Sequence, residues 1–412
     1  MRIAITMQSH DEAWGGIGVY TRQIVENLLA MDRQNQYLLV YPPFGNAQKG
    51  LGQYQSRYPN CVEVKTGRSV PWGIFWEQLV LPRFLRQHRI DLLFNPFWSA
   101  PLVGRYKKVL AVHGLDSHVT PEALTWRGRF EWALHSRVWV HRADAVVAIS
   151  DMMSRDLQKY DRLSESRIRR IHHGRSESFR PIEDAEQLRS ARERYGLPGK
   201  FILFVGMLFP QKNFSNLLHA FARLAPDIPH QLVVVGRPRW KFRGELDLIG
   251  KLGLTHRVQI IDHVAHEELA FVYNLADCFV FPSLYEAFGL VGLEAMACGC
   301  PVAASETGAL PEVLGEGALY FDPLQPEQMA DRIRQILERP QLRAELVRQG
   351  LERAASFTWQ KAAREVLKLF RDVHQGNTVR LVAPDTAATA RTTALVRASS
   401  RAARIGAQVR QP

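Results

Sequence analysis

Two glutamates flank a predicted helix start in the second half of the chain. Glu286 stands in a loop that follows an apolar strand, and Glu294 lies within the helix predicted over 290–298. Backbone amides at a helix start are unpaired and the helix dipole favours anions, so a phosphate group fits at Gly289. Carboxylates on either side of a diphosphate suit sugar hydroxyl groups. The ordinary alternative is one helix cap and one solvated acid.

A lysine offers a second phosphate contact. Lys212 follows the strand predicted over Phe201–Gly206 and stands beside the start of another helix. A positive charge at a helix start is unfavourable because it opposes the helix dipole. A lysine there therefore indicates a function, such as binding a phosphate group. The ordinary alternative is a surface lysine.

The first half of the chain carries a glycine-rich loop and a histidine at a strand end. In the stretch 14–20, Gly16 lets the backbone approach a ligand closely, and Trp14 stands nearby. The stretch lacks the Gly-x-Gly-x-x-Gly spacing of dinucleotide-binding loops, so a structural turn is the alternative. His113 ends a strand, where it can donate a hydrogen bond to a sugar hydroxyl group. The alternative is a core histidine.

Two further residues are weaker candidates on the acceptor side. Ser150 follows another predicted strand, and Trp76 lies in an aromatic-rich region with Phe75 and Trp98. Aromatic rings stack on sugar faces, and exposed apolar surface also touches lipid. Ordinary core packing is the alternative for this region.

These residues need elements that bring them together, and the chain supplies alternating strands and helices. The pattern indicates α/β architecture with parallel sheets, in which the C-terminal strand ends line the ligand crevice. The predicted strands are Ile3–Met7, Tyr37–Tyr41, Val62–Lys65, Asp91–Asn95, Val109–His113, Ala145–Ile149, Phe201–Gly206, Gln231–Gly236, Val258–Ile261, Cys278–Pro282, Pro301–Ala304 and Ala318–Phe321.

The 412 residues are too many for one ordinary core, so we expect two domains. We place them at 1–178 and 179–356, with an amphipathic C-terminal helix at 357–375 packing back on the first domain. The remaining 376–412 hold six arginines against one acid and show no steady apolar period. We expect a disordered basic tail there. The alternative is a basic tail that contacts the membrane surface.

Charge and cysteine content limit the partners. The net charge of +12 comes without a known nucleic-acid motif, so the partners that remain are anionic substrates and the membrane surface.

Cys298 and Cys300 lie in an apolar run, which is typical of small buried residues and not of half a metal site. No Asp-x-Asp motif occupies a convincing loop, so we expect no metal. The apolar runs are too short to span a membrane and the start of the chain predicts a strand, so we expect a cytoplasmic protein.

The stretch 281–301 resembles the Glu-x7-Glu motif of the retaining glycosyltransferases of family 4, and the similarity continues through 308–313. The resemblance covers roughly residues 1–374 and is strongest in the C-terminal half. It implies the GT-B fold, in which two Rossmann-like domains face each other across a cleft.

The resemblance also implies roles for individual residues. Glu294 would bind the ribose of the nucleotide, and Glu286 would contact the transferred sugar. Gly16 would face the donor phosphates, and His113 would bond a sugar hydroxyl group. The amides expected at the diphosphate are those of Gly289, Leu290 and Val291.

By the same resemblance, Lys212 neutralises the leaving diphosphate. An arginine often accompanies this lysine, but Met207 and Gln211 occupy the two usual positions here. We expect either that Lys212 acts alone or that Arg237 or Arg239 helps.

The function implied is a retaining hexosyltransferase. It would move a mannose-like or GlcNAc-like unit from a nucleotide-diphosphate sugar to a saccharide or lipid-linked acceptor, in surface polysaccharide synthesis. The nucleotide-sugar is a substrate, and no cofactor is expected. Peripheral contact with an anionic inner membrane face is a further expectation. The alternatives are a nucleotide-sugar epimerase, a glycogen-type synthase or phosphorylase, and a non-catalytic sugar-nucleotide binding protein.

Overall fold

Buried aliphatic runs form the strands, because parallel sheets are covered on both faces. Leu203 and Val234, in the middle of two neighbouring strands, are fully buried. Two compact units divide the chain, one of Met1–Gly174 with the helix that follows Thr358, the other of Arg175–Phe357. The computed structural model describes residues 1–10, 15–44, 51–67, 73–114, 138–236 and 243–377.

The first unit is built on a parallel sheet whose described strands run in the order β3-β2-β1-β4-β5-β6-β7. The chain starts at the centre, moves to one edge and then fills the other side, so the strand order switches between β1 and β4. There Thr6 donates a 2.6 Å hydrogen bond to Asn95 Oδ1. The strands are β1 Arg2–Thr6, β2 Gln36–Tyr41, β3 Cys61–Lys65, β4 Leu92–Asn95, β5 Lys107–Val112, β6 Ala145–Ala148 and β7 Ile168–Arg170.

The C-terminal helix, Trp359–Gln375, belongs to this first unit. The Thr358 side chain caps its first turn. On its buried face the Phe370 ring lies 5.2 Å from that of Phe94, and Asp372 pairs with Arg169 at 3.0 Å. The other described helices of the unit are Gly16–Met31, Gly73–Phe75, Leu81–Gln87 and Asp151–Tyr160, with a π-helical turn at Trp76–Val80 and a 3-10 turn at Glu165–Arg167.

The second unit repeats the same winding. Its described strands run β10-β9-β8-β11-β12-β13, all parallel, and the order switches between β8 and β11. Loops that follow these two strands therefore leave the sheet side by side, where ligands bind in such folds. The strands are β8 Phe201–Val205, β9 Gln231–Val235, β10 Val258–Ile261, β11 Cys278–Phe281, β12 Val302–Ser305 and β13 Ala318–Phe321.

Helices cover both faces of this second sheet. The helix Phe214–Leu224 buries Leu217, Leu218 and Phe221 in a core shared with Ile333 of a later helix. The other described helices are Ala185–Arg194, Arg243–Lys251, Leu269–Leu275, Leu290–Ala297, Leu310–Leu314, Pro326–Glu338 and Pro340–Ala355, with 3-10 turns at Pro210–Lys212, His266–Glu268 and Gly315–Gly317. None of the described helices is long and apolar enough to cross a membrane.

The predicted α/β class with parallel sheets is confirmed, with one strand missed. Ile168–Arg170 is three residues long, two of them arginines, and it lies at a sheet edge, so no apolar run marks it. The division between the units falls at Gly174, near the predicted residue 178. The predicted tail lies outside the described residues beyond Asn377.

A buried carboxyl in the first unit makes stability depend on pH. Glu77, in the π-helical turn, is buried, and burial raises the pKa of its carboxyl to about 7 even though Ser99 donates a 2.5 Å hydrogen bond to it. The folded pKa lies above the unfolded value, so the free energy of unfolding should fall as pH rises from about 4.5 to about 7, by about 3 kcal/mol. Glu77→Gln should remove this fall, as urea unfolding between pH 4.5 and 8 would measure.

The matched control is Glu165→Gln, an exposed glutamate of the same unit. It should keep the wild-type pH profile. A Glu77→Gln protein with the wild-type profile would show that folding does not raise the pKa of Glu77.

Candidate functional site

Lys212 and Glu286 meet at the switch point of the second sheet. Lys212 ends the 3-10 turn after β8, Glu286 lies in the loop after β11, and the Lys212 ammonium contacts Glu286 Oε1 directly. Ser283 donates a 2.7 Å hydrogen bond to the same oxygen. The two charged side chains remain 22% and 14% exposed, so a ligand can still reach them.

Hydrogen bonds join the two loops that carry this pair. The amide of Leu284 donates to the Gln211 carbonyl at 2.9 Å, and the Gln211 side chain donates to the Tyr285 carbonyl at 2.8 Å. Asn213, in the left-handed region with φ 58°, donates through its side chain to the Pro282 carbonyl at 3.0 Å. Gln211, which replaces a frequent arginine of the family, therefore holds the Glu286 loop through a neutral amide.

A third loop, after β12, supports Glu286 from behind. The amide of Ala309 donates to the Glu286 carbonyl at 2.8 Å. Gly308 has φ 63°, and a Cβ built on it would lie 2.6 Å from the Glu286 carbonyl oxygen. Only glycine allows this close approach together with a left-handed backbone. Ser305 and Thr307 donate side-chain hydrogen bonds to the Ser283 carbonyl at 2.6 and 3.0 Å.

The predicted anion-binding helix start follows this loop. Gly289 precedes the helix with φ 104°, and a Cβ there would lie 2.5 Å from Leu310 Cδ2. Among the described residues, no side chain caps the start of this helix. Leu290 and Val291 occupy the first turn, where helix amides have no intrahelical acceptor, and both are half-buried. Their amides are the donors that a phosphate would use.

Glu294 lies further along the same helix and is 3% exposed. Its Oε1 is 3.1 Å from His266 Nε2. Burial and then the charge of Glu294 raise the pKa of the Tyr273 hydroxyl well above its usual value. A ribose would reach Glu294 beside the His266 ring, which is more exposed than the glutamate.

The histidine of the first unit has one nitrogen committed to the backbone. His113 Nε2 lies 3.0 Å from the Pro96 carbonyl, and because a carbonyl only accepts, Nε2 carries the proton. Burial lowers the pKa of His113 to about 4, so the ring is neutral at pH 7. Its Nδ1 is buried and has no hydrogen-bond partner among the described residues. The Tyr20 ring packs on it at 4.6 Å.

The remaining candidates of the first unit differ in how the structure places them. Gly16 begins a helix, and a Cβ built on it would meet no heavy atom within 4 Å among the described residues. Ser150 is fully buried and caps the helix Asp151–Tyr160 by accepting from the Met153 amide.

Trp76 is fully buried, and its indole donates a 2.6 Å hydrogen bond to Thr66. Both side chains are fully buried, so neither presents exposed surface to a ligand, and the acceptor-side role of Ser150 and Trp76 stays a prediction. Trp14, Arg237 and Arg239 lie outside the described residues.

Several supporting residues were not identified as such from the sequence. Ser283, His266 and Gly308 hold or neighbour the two glutamates, but no spacing rule singles out a serine three residues before a glutamate. Gly308 was visible as part of the family similarity, without its contact to Glu286. Within the described ranges, no cluster of three or more histidines, cysteines or acids is placed to hold a metal ion. All four cysteines are buried, and burial raises the pKa of Cys298.

Comparison with known families gives two matches along the chain. The profile described as Glycosyltransferase Family 4 matches residues 14–178, and the profile described as Glycosyl transferases group 1 matches residues 189–353. The chain is 30% identical over 281 residues to the serotype-specific mannosyltransferase WbdA of Escherichia coli. That match covers 66% of this chain and 34% of WbdA, so the chain spans about a third of that relative's length.

Solved structures share the fold at low sequence identity. Sucrose-phosphate synthase of Thermosynechococcus elongatus matches with a TM-score of 0.74 at 23% identity, over 92% of this chain and 100% of that one. HepE of Anabaena, in complex with UDP and glucose, gives 0.72 at 19% identity, over 90% of this chain and 100% of that one. The two profile matches, which together span most of the sequence, show that the chain belongs to family 4 of the glycosyltransferases. The solved neighbours show that it has the GT-B fold.

Proposed function

We propose that this protein is a retaining hexosyltransferase that moves a mannose-like or GlcNAc-like unit from a nucleotide-diphosphate sugar to a saccharide or lipid-linked acceptor. The observation that carries the proposal is the contact between Lys212 and Glu286 next to the uncapped helix start at Gly289. One cation, one carboxylate and free amides are the groups that a sugar diphosphate needs. The name of the Escherichia coli relative favours a mannosyl unit.

The phosphate half of the reaction depends on positive charge. When the bond between sugar and diphosphate breaks, negative charge grows on the leaving diphosphate. The Lys212 ammonium and the amides of Leu290 and Val291 stabilise that charge, as an oxyanion hole does. The helix dipole adds to them without a metal ion. Gln211 contributes no charge, so in this proposal Lys212 carries the ionic part of the contact, unless Arg237 or Arg239 joins it.

The sugar half depends on Glu286. Among the described residues, two hydrogen bonds reach the Glu286 carboxylate, from Lys212 and Ser283, and both end on Oε1. In this proposal Oε2 accepts from a sugar hydroxyl group. An incoming phosphate draws the ammonium away from Oε1, which leaves a second acceptor for the sugar. The pair thus keeps both charges neutralised and in place until the donor arrives.

The nucleoside is proposed to lie along the helix Leu290–Ala297. Glu294 would accept hydrogen bonds from the ribose hydroxyl groups. Its carboxylate is held by His266, so its orientation is fixed before the ligand binds. This fixed orientation lowers the entropy cost of binding.

The acceptor is proposed to bind the first unit, where Gly16 offers uncovered backbone. His113, neutral at pH 7, would bond a sugar hydroxyl group through Nδ1 after local rearrangement, because this atom is buried. A lipid-linked acceptor lies at a bilayer, so the proposal includes a cytoplasmic location and peripheral contact with an anionic membrane. A role in surface polysaccharide synthesis follows from such an acceptor.

An epimerase or a non-catalytic binding protein would use the same donor contacts. The difference is the second substrate. Release of nucleoside diphosphate that depends on an added acceptor, followed by product analysis, would support transfer. Conversion of the donor to an isomer without acceptor would instead support the epimerase.

Loss of either partner of the ion pair should slow transfer. Lys212→Met removes the charge that stabilises the leaving group and should lower kcat/KM by about 100- to 1000-fold. Glu286→Gln weakens the bond to a sugar hydroxyl group and should lower it by about 10- to 100-fold. Radiolabelled hexose transfer, screened first over UDP-, GDP- and ADP-sugars, measures both.

Lys251→Met, an exposed lysine of the same unit, is the matched control and should keep wild-type activity. Transfer that survives both Lys212→Met and Glu286→Gln would show that the site is elsewhere.

The support of Glu286 by the third loop gives a separate test. Gly308→Ala places a methyl group against the Glu286 backbone and should displace its carboxylate, with a loss of transfer on the order of 100-fold. Gly250→Ala has open space around the new methyl group and should be neutral. Both variants should retain the wild-type circular dichroism spectrum. Full activity of Gly308→Ala would mean that the position of Glu286 does not limit the reaction.

A further inference from the structure

A groove of about 1120 Å³ lies in the first unit, between the helical segment Gly73–Gln87 and the loop that leads into β5. None of the residues assigned to sugar transfer lines it. Its walls carry several arginines and, among the described residues, a single acid, Asp91. The arginines are Arg83, Arg86, Arg89 and Arg105.

All four arginines are exposed, and no carboxylate of the described residues lies within 4 Å of their guanidinium groups. The acid of the groove, Asp91, accepts a 2.7 Å hydrogen bond from the Arg2 amide instead. The groove therefore holds uncompensated positive charge, which attracts an anion.

Large apolar side chains stand among these arginines. Leu79 is 51% exposed, and Val103, on the facing loop, is 62% exposed. Phe75, four residues before Leu79 on the same helical segment, is also exposed. Exposed aliphatic side chains such as Leu79 and Val103 suit the interfacial layer of a bilayer better than a free anionic saccharide, whose surface is mostly hydroxyl and carboxylate groups. A phospholipid bilayer offers phosphate groups to the arginines and an apolar layer to Leu79 and Val103.

The structure holds these apolar side chains outward through defined contacts. Gln78, in the π-helical turn, donates to the Ala100 carbonyl at 3.1 Å and accepts from the Leu102 amide at 2.9 Å, so it ties the two walls together. The Tyr106 hydroxyl donates to the Val103 carbonyl at 3.0 Å. Gly104, with φ 131°, leaves no room for a Cβ against the Tyr106 ring. The turn at Val103 and Gly104, held by Tyr106, therefore keeps the Val103 side chain exposed.

We propose that this groove and its rim dock on an anionic phospholipid bilayer, with the arginines at lipid phosphates and Leu79 and Val103 in the interfacial layer. We call Leu79, Arg83, Arg86, Val103 and Arg105 the lipid-docking face. The inference deepens the membrane contact of the proposed function and does not depend on the donor site.

The position of the basic C-terminal segment supports this occupant. His374, near the end of the C-terminal helix, lines the groove, and the chain continues from there into 378–412, which carries six arginines. The described chain therefore ends at Asn377, three residues after a residue that lines the groove. Stable membrane binding generally needs two signals, and an apolar–basic face followed in the sequence by a basic segment supplies them.

Sedimentation of the full chain with vesicles tests the proposal. Vesicles of phosphatidylcholine with 30% phosphatidylglycerol should bind the wild-type protein, and pure phosphatidylcholine vesicles should bind it far less. Arg83→Gln/Arg86→Gln/Arg105→Gln should weaken binding about 100-fold, at roughly fivefold for each arginine near the surface. Leu79→Ser/Val103→Ser should also weaken it.

The matched control is Arg142→Gln/Arg155→Gln/Arg162→Gln, three exposed arginines elsewhere on the same unit, and it should bind as wild type does. Equal loss in this control, or unchanged binding of the Arg83/Arg86/Arg105 variant, would overturn the proposal. So would unchanged binding of the Leu79/Val103 variant together with displacement by polygalacturonate, which would identify a saccharide ligand. Transfer to a water-soluble acceptor is measured in parallel and should be unaffected, which separates failure here from failure of the donor site.

Discussion

The adjacency of β8 and β11 is the constraint on which the candidate site depends. These strands are paired in parallel at the point where the strand order reverses, so their following loops leave the sheet together. Lys212 and Glu286, 74 residues apart in sequence, meet only for this reason. The helix start at Gly289 continues the second loop. A cation, a carboxylate and free amides are thereby gathered without any one segment containing all of them.

Neutral hydrogen bonds then fix the geometry that the sheet makes available. Gln211 and Asn213 tie the first loop to the second, and Ala309 ties the third loop to Glu286. Buried charges are costly unless they are paired, and here the pair is largely buried and the loops that carry it are held by uncharged groups. The two charged groups can therefore exchange partners when a ligand binds. An arginine at position 211 would add a second positive charge, and the chain instead has a glutamine there that joins the two loops.

Much of the fold could be predicted from the sequence, because its strands are uninterrupted apolar runs bounded by turn residues. The strand Ile168–Arg170 was not predicted, because an edge strand with two arginines carries no such pattern. The residues proposed for the donor site could be picked out from the sequence, since Lys212 and Glu286 follow strands and Glu294 lies in the helix that begins at Leu290. Their partners could not, because contacts such as that of His266 with Glu294 join distant segments. The burial of Trp76 could not be predicted for a related reason, because the sequence shows an aromatic cluster but not which ring packs in the core.

A crystal structure of the protein with bound UDP or GDP tests the central claim most directly. The account predicts that the diphosphate lies within about 2.7–3.2 Å of Lys212 Nζ and of the first amides of the helix that begins at Leu290, with Glu286 released from the lysine. The ribose should lie at Glu294. A diphosphate bound elsewhere, or Lys212 still against Glu286 and out of reach of the phosphates, would contradict the account.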